Sequence, residues 1–424
     1  MKGPDLMEEE QSRGSATSFE DQEILRGAGG MSWPRKKLEL LAADEPYSFV
    51  GGPFGSKLTS RDYSDQGIPV IRGSNLNNGR FLDMNEFVYV SDSKVRKDLS
   101  GNLAKPGDLV FTQRGTLGQV AIIPKEGISD RYVVSQSQMK LTVDDTKADQ
   151  FFLYYYFSSR EVIDRITNFT SSSGVPHINL TVLRNFEIPV PPLEIQKSIA
   201  SILSAYDDLI ENNRRRIQLL EQAARLLYKE WFVHLRFPGH EHVRVMDGVP
   251  EGWKRVQVKD VLEKLNRPKK IKQSEYLPEG PIPCVDQSRD FIGGYTYDED
   301  AVIDIGRSLI VFGDHTRILK YVDFPFACGA DGTQLIISND PAVSQEFLYF
   351  ALDAIDLTNY FYARHFKFLK DQFIPRPNEA ILSQFTDIVR PTLNQIKLLR
   401  AHCERLAKAR DMLLPRLMNE EIVV

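Results

Sequence analysis

The chain repeats itself at a distance of 186 residues: Ile188-Pro-Val-Pro191 returns as Ile374-Pro-Arg-Pro377. With no gap, Ile195, Ile199, Ile202, Leu220, Leu227 and Trp231 fall on Ile381, Phe385, Ile388, Leu406, Leu413 and Leu417. Upstream the match is looser, with Leu109-Val-Phe111 answering Ile310-Val-Phe312 and Phe152-Leu-Tyr-Tyr155 answering Phe347-Leu-Tyr-Phe350. Solenoid units run to only about 20–50 residues, so a repeat of this size is a duplicated domain. The sequence therefore predicts two globular units, each followed by its own helix. Helices that match while domains drift imply one scaffold carrying two different readers.

The first unit offers short β-like runs at Pro69–Arg72, Phe87–Val90, Asp108–Phe111, Val120–Ile123 and Met139–Val143. Gly, Asn, Asp and Pro separate them, which predicts a compact mixed sheet. A helical run from Phe151 to Ile166 follows. The second unit repeats the plan with Val256–Leu265, Pro283–Asp286, Ser308–Phe312, Gln334–Ser338 and a helix from Ser344 to Ala354. Glu194 to His234 is different in kind: Ile195, Ile199, Ile202, Tyr206 and Leu209, then Ile217, Leu220, Ala224, Leu227 and Trp231, alternate in steps of three and four like a coiled-coil seam. Asn213 sits in that seam at a stutter between its halves. Some 40 residues of helix make a rod of about 60 Å.

The matching stretch Glu379 to Met418 carries Ile381, Phe385, Ile388, Thr392, Leu399, Cys403, Leu406, Leu413 and Leu417, and Pro391 is expected to bend or interrupt it. Two seams of equal length predict that the helices run antiparallel and bury each other; the alternative is that each packs on its own domain. The expected class is α+β, with two globular mixed α/β domains, two long antiparallel coiled-coil helices and a pseudo-twofold internal repeat. The expected boundaries are 1–30 (extension), 31–192 (domain one), 193–236 (helix one), 237–378 (domain two) and 379–424 (helix two and tail).

Composition supports a soluble protein of ordinary globular type: 424 residues, 42% hydrophobic and 26% charged. No stretch reaches the 18 or so uninterrupted apolar residues of a membrane span. Residues 1–30 hold three Lys/Arg against seven Asp/Glu and lack the basic start and apolar run of a signal peptide, so a disordered extension is expected there. The remainder carries only −1 of the total −5 charge, so any nucleic-acid affinity must come from local patches. Cys284, Cys328 and Cys403 are widely spaced with no CxxC pair, pointing to a reducing cytoplasm and away from a structural zinc site.

No catalytic constellation is present. The sequence lacks the [DN]-P-P-[FY] motif with which amino-methyltransferases grip a base, G-x-G-x-x-G after a strand, paired histidines at metal spacing, and G-x-S-x-G. Gly51-Gly-Pro-Phe-Gly-Ser-Lys57 fails the phosphate-loop spacing and reads as a surface turn. His177, His315 and His365 are isolated.

Loops rich in groups that bond to base edges and phosphates are present instead: Arg72-Gly-Ser-Asn75, Asn77-Asn-Gly-Arg80, Gln113-Arg-Gly-Thr116, Ser135-Gln-Ser-Gln138 and Ser171-Ser-Ser-Gly174 in the first unit. The second offers Asp286-Gln-Ser-Arg289, Asp314-His-Thr-Arg317 and Arg364-His-Phe-Lys367. Arg pairs bidentately with guanine, and Asn or Gln with adenine. Each loop alone also fits a solvated turn; recurrence at equivalent places favours an interface. The candidate DNA contacts are Lys57, Arg72, Asn75, Asn77, Arg80, Gln113, Arg114, Thr116, Gln136 and Gln138, then Gln287, Arg289, His315, Thr316, Arg317, Arg364 and Lys367.

Gly52-Pro-Phe-Gly-Ser56, Asp62-Tyr63, Gly67-Ile-Pro-Val-Ile-Arg72, Pro106-Gly-Asp108, Ile188-Pro-Val-Pro-Pro-Leu-Glu-Ile-Gln196 and Leu413-Leu-Pro-Arg-Leu417 together resemble the specificity subunit of type I restriction-modification systems. The likeness runs from Met31 to Glu421; Asn419-Glu420 departs from the family's Ser-Gly, and the second domain has no clear Gly-Pro-Phe-Gly. The resemblance implies two target recognition domains on duplex DNA, set apart by two antiparallel helices. It also implies two docked modification (methyltransferase) subunits and further restriction/translocase subunits. S-adenosylmethionine, ATP and magnesium would belong to those partners, with no cofactor, metal or catalytic residue on this chain and no membrane partner. The alternatives are a detached piece of a fused methyltransferase or endonuclease, and a coiled-coil scaffold that never touches DNA.

Overall fold

The computed structural model describes residues 33–76, 79–168, 177–265, 269–330, 332–359, 364–422 and 424. The expected extension 1–30, the loop Ser171–Gly174 and Asn77 lie outside the described residues. The chain forms two compact units: the described residues up to Asp208 with those from Leu406 onward, and Leu209–Arg405.

Unit one contains a five-stranded sheet in the order Tyr63–Ser64, Val88–Val90, Ile68–Ile71, Tyr132–Val134, Leu103–Ala104. A second sheet of four strands runs Phe49–Gly51, Gln138–Leu141, Leu109–Thr112, Val120–Ile122. Ile68–Ile71, Leu109–Thr112 and Tyr132–Val134 are buried at every position, as strands covered on both faces should be. The aromatic run closes this core as the helix Gln150–Ser158, in which Phe152 to Phe157 are all buried. The single helix expected from Phe151 to Ile166 is in fact two. Ser159 is extended at φ −69°, ψ 142°, its hydroxyl donates to the Tyr156 carbonyl at 2.8 Å, and a second helix begins at Arg160.

Unit two repeats this wiring. Ile282–Val285 lies parallel to Phe326–Gly329, as Ile68–Ile71 lies parallel to Tyr132–Val134. Leu309–Gly313 pairs antiparallel with Leu319–Val322 and Thr333–Ile336, as Leu109–Thr112 does with Val120–Ile122 and Gln138–Leu141. The helix Gln345–Asp353 takes the place of Gln150–Ser158, and the Ser344 side chain caps it by accepting from the Phe347 N–H at 3.2 Å. The β-like run expected over Val256–Leu265 is shorter: Lys254–Gln257 is a strand on Phe373–Arg376, and Val258–Val261 turns into a 3₁₀ helix.

The first long helix is Leu193–Tyr228, followed by a wider, π-type turn at Lys229–Val233; the second is Glu379–Met418. Pro391 does not interrupt the second. It lies on the exposed side, where water can satisfy the carbonyl that its missing N–H leaves free. The seams differ in detail from the expectation. Leu209 is 51% exposed and Ile388 50%, whereas Ile210, Val389, Leu393 and Ile396 are buried, a shift of one position that in the second helix follows from successive four-residue steps from Ile381 to Leu393.

In unit two the helix segments run antiparallel. Cys403 Sγ reaches the Ile210 carbonyl at 3.7 Å, buried Asn213 meets His402 Nδ1 at 3.4 Å, and Tyr228 lies 6.1 Å from Phe385, ring to ring. In unit one Arg410 bonds Asp207. The two expectations for the helices are not exclusive: Ile199, Ala200, Leu203, Leu414, Leu417 and Met418 share one core with Phe152 and Tyr155.

Candidate nucleic-acid interface

Strand direction gathers the candidate loops of unit one. Parallel strands deliver their succeeding loops to the same end, so Arg72 and Ser135 emerge together, with Ser135 N–H donating to the Ile71 carbonyl at 3.0 Å. Antiparallel pairing of Thr112 with Gln138 brings in the next loop, and the N–H groups of Gln113 and Arg114 donate to the Ser137 carbonyl at 2.7 and 3.3 Å. Gly52 N–H donates to the Gln138 carbonyl at 2.8 Å. A Cβ on Gly52 would stand 1.9 Å from the Ser135 carbonyl oxygen, so only glycine permits this approach.

Within that cluster the side chains have different assignments. Lys57, Arg114 and Thr116 are exposed, and Gln113 is half-buried. Gln136 donates its amide to the Gly55 and Leu58 carbonyls, the latter at 2.9 Å. Asn75 is buried and pins its own turn, accepting from Arg72 N–H at 2.9 Å and donating to Asp83 and Asn85 carbonyls at 3.2 Å. Gln138 is fully buried and accepts from the Ser135 hydroxyl. Arg72 donates to the Glu86 carbonyl at 3.0 Å. Arg80 stands apart: it bonds Asp208 of the long helix and stacks over Phe81 and Phe151, 4.7 and 5.6 Å from their ring centres.

Unit two gathers its loops by the same wiring. Gln287 comes just after Ile282–Val285, and its side-chain oxygen accepts from His315 N–H at 3.1 Å while its carbonyl accepts from the Thr316 hydroxyl at 2.7 Å. Asp314 accepts from the first N–H groups of the helix His365–Lys370, His365 to its carbonyl at 2.9 Å and Phe366 to its carboxylate at 2.7 Å. That docking carries Arg364 and Lys367, both exposed, to the same loop cluster. Arg317 has a left-handed backbone (φ 64°) and donates to the Leu357 carbonyl at 3.2 Å. Arg289 is exposed at the mouth of a cavity of about 200 Å³ that Arg225, Lys320 and Arg400 also line.

Beneath each cluster lies a charge pair that the loop-by-loop sequence reading did not single out. In unit one Lys140 and Asp108 are 3.3 Å apart, with Thr142 bonded to both at 2.8 and 2.7 Å. In unit two Lys320 lies 3.6 Å from Asp286. Burial pushes the Lys320 ammonium down. Burial pushes Asp286 up, but the Ser288 hydroxyl and N–H, with Lys320, hold the carboxyl below its ordinary range. A lysine inside an otherwise apolar strand, Gln-Met-Lys-Leu or Leu-Lys-Tyr-Val, was the available signal.

The clusters offer cations, amides and hydroxyls on rigid strand ends. Among the described residues no group of three or more His, Cys, Asp or Glu side chains is gathered to hold a metal, and no helix is long and apolar enough to cross a membrane. Residues 55–222 match the model of the type I restriction modification DNA specificity domain. The chain is 24% identical to the type I restriction enzyme MjaIX specificity subunit of Methanocaldococcus jannaschii, over 96% of this chain and 97% of that one. It is 31% identical to the HindI specificity subunit of Haemophilus influenzae, over 37% of this chain and 35% of that one. The fold is similar to a crystal structure of a type I restriction-modification S subunit from M. genitalium, with TM-score 0.53 and 16% identity over 92% and 97% of the two chains. The chain thus carries a type I restriction modification DNA specificity domain over residues 55–222 and is similar along nearly its whole length to a type I restriction enzyme specificity subunit.

Proposed function

We propose that each unit reads one half of a bipartite, asymmetric DNA site. The observation that carries this is the same strand wiring presenting different side chains: Arg72, Gln113 and Arg114 at one set of strand ends, Gln287, His315 and Thr316 at the other. Identical readers would demand a symmetric site; diverged ones do not. The two long helices act as the spacer between half-sites, and their outer faces dock two methyltransferase subunits. Those subunits carry S-adenosylmethionine, and restriction/translocase subunits carry ATP and magnesium, acting on cytoplasmic DNA. A body near −1 charge supplies little of the counterion release that drives duplex binding, so this chain binds tightly only in company with its partners. Single-molecule sequencing of methylated adenines in the source genome tests the proposal. The expected motif is two short defined blocks around an unspecified spacer; one continuous palindrome would sink it.

A further inference from the structure

The Gly52–Lys57 loop, a surface turn by its sequence, carries Phe54, which at 84% exposure is the most exposed large apolar side chain among the described residues. One exposed apolar residue is ordinary. This loop, however, is anchored to its neighbours before and after the ring. Asn102 donates to the Gly51 carbonyl at 2.8 Å, Gly52 is wedged against Ser135, Pro53 is buried, and the Gln136 amide grips the Gly55 and Leu58 carbonyls on the far side. Gly55 reverses the chain with a left-handed φ of 61°. The loop is thus pinned on both sides of the phenyl ring, by the same Ser135–Gln138 turn that backs Gln113 and Arg114. Lys57 and Arg61 follow it in the chain, both exposed and with no ion-pair partner among the described residues.

A protruding phenyl ring followed in the chain by two exposed cations, continuous with base-reading loops, suits one occupant. We infer that Phe54 is an aromatic wedge that packs against or between bases at the edge of the first half-site, with Lys57 and Arg61 on the adjoining phosphates. Apolar wedges of this kind partly unstack a base step, and base–aromatic contact is strong enough to matter to affinity. The inference rests on the DNA-reading proposal and adds an asymmetry to it, because the second unit has no Gly-Pro-Phe-Gly sequence. Only one half-site is wedged.

The test uses the chain assembled with its methyltransferase partners and a duplex bearing the mapped site. 2-Aminopurine is placed in turn at each position except the target adenine, which the methyltransferase must itself extrude. Wild type should brighten one position at the first half-site and none at the second. Phe54→Ala should abolish that signal and weaken binding about tenfold, while Phe54→Trp retains both. Since the ring is exposed, the melting temperature of F54A should match wild type, which excludes misfolding as the cause. Lys57→Ala should lower the salt slope by about one. F54A with wild-type affinity and brightening would overturn the wedge while leaving DNA reading intact. A wild-type complex that does not distinguish the mapped duplex from a scrambled one would remove the DNA-reading proposal and the wedge with it.

Discussion

Arg80 sharpens the distinction between a side chain that reads DNA and one that holds a reader in place. By residue type it belongs with the DNA contacts; in the fold its side chain is only 12% exposed and bonds Asp208 on the long helix. Arg80→Ala removes a charged hydrogen bond, worth about 1.5–3 kcal/mol when well formed, and a cation–π contact worth about 0.5–1 kcal/mol. Asp208 is 65% exposed, so the abandoned carboxylate is hydrated and the loss stays below the 3–5 kcal/mol or so of breaking a buried pair. The net loss is then about 2–3 kcal/mol, which for a domain of this size lowers its melting transition by roughly 4–12 °C. Calorimetry of the R80A chain measures that shift, and binding at two salt concentrations measures the rest. The expected result is a lower melting point with unchanged base preference and salt slope. An unchanged melting point with a flatter salt slope would show that Arg80 is spent on phosphate and refute the reasoning.

Lys140→Met should cost unit one about 3–5 kcal/mol, because Asp108 is left buried with only the Thr142 hydroxyl and the Lys105 N–H; the double variant with Asp108→Leu should recover most of it in chemical denaturation. Asp340 is held below the usual carboxylate range by Arg376, whose Nε and Nη2 donate at 2.6 and 3.1 Å. Its contribution is present above the ordinary carboxylate range and lost as pH falls through the lowered folded value, so Asp340→Asn should flatten the acid limb of a melting-temperature profile. Four residues inserted after Asn213, about 6 Å of helix, should lengthen the spacer in the methylation motif with both half-sites unchanged. Altered bases instead would show that the helices are not the ruler.

The features legible from sequence were those in which residue type and position are the same thing. The aligned repeats at Ile188 and Ile374 announced two similarly wired units, and the apolar stretch from Glu379 to Met418 coincides with a helix of the same bounds. The features that were not legible depend on which way a side chain turns. Asn75 and Gln138 are residue types that contact bases, yet each is buried, one pinning a turn and the other receiving the Ser135 hydroxyl. Ile388 and Thr392 fitted a seam by spacing, but the helix presents Val389 and Leu393 to the core, because its buried positions from Ile381 and Phe385 advance in successive steps of four. Ser159 broke a helix that periodicity alone could not break, its extended backbone separating the two helices.

The most direct test of the central claim is to change one reader and sequence what the complex methylates. Gln287, His315 and Thr316 are bonded to one another at the strand ends of unit two, so replacing all three with alanine disturbs that cluster without touching unit one. The account predicts that the second block of the motif relaxes or changes while the first block and the spacer length stay as in wild type. Relaxation of both blocks together, or an unaltered motif at full activity, would contradict it.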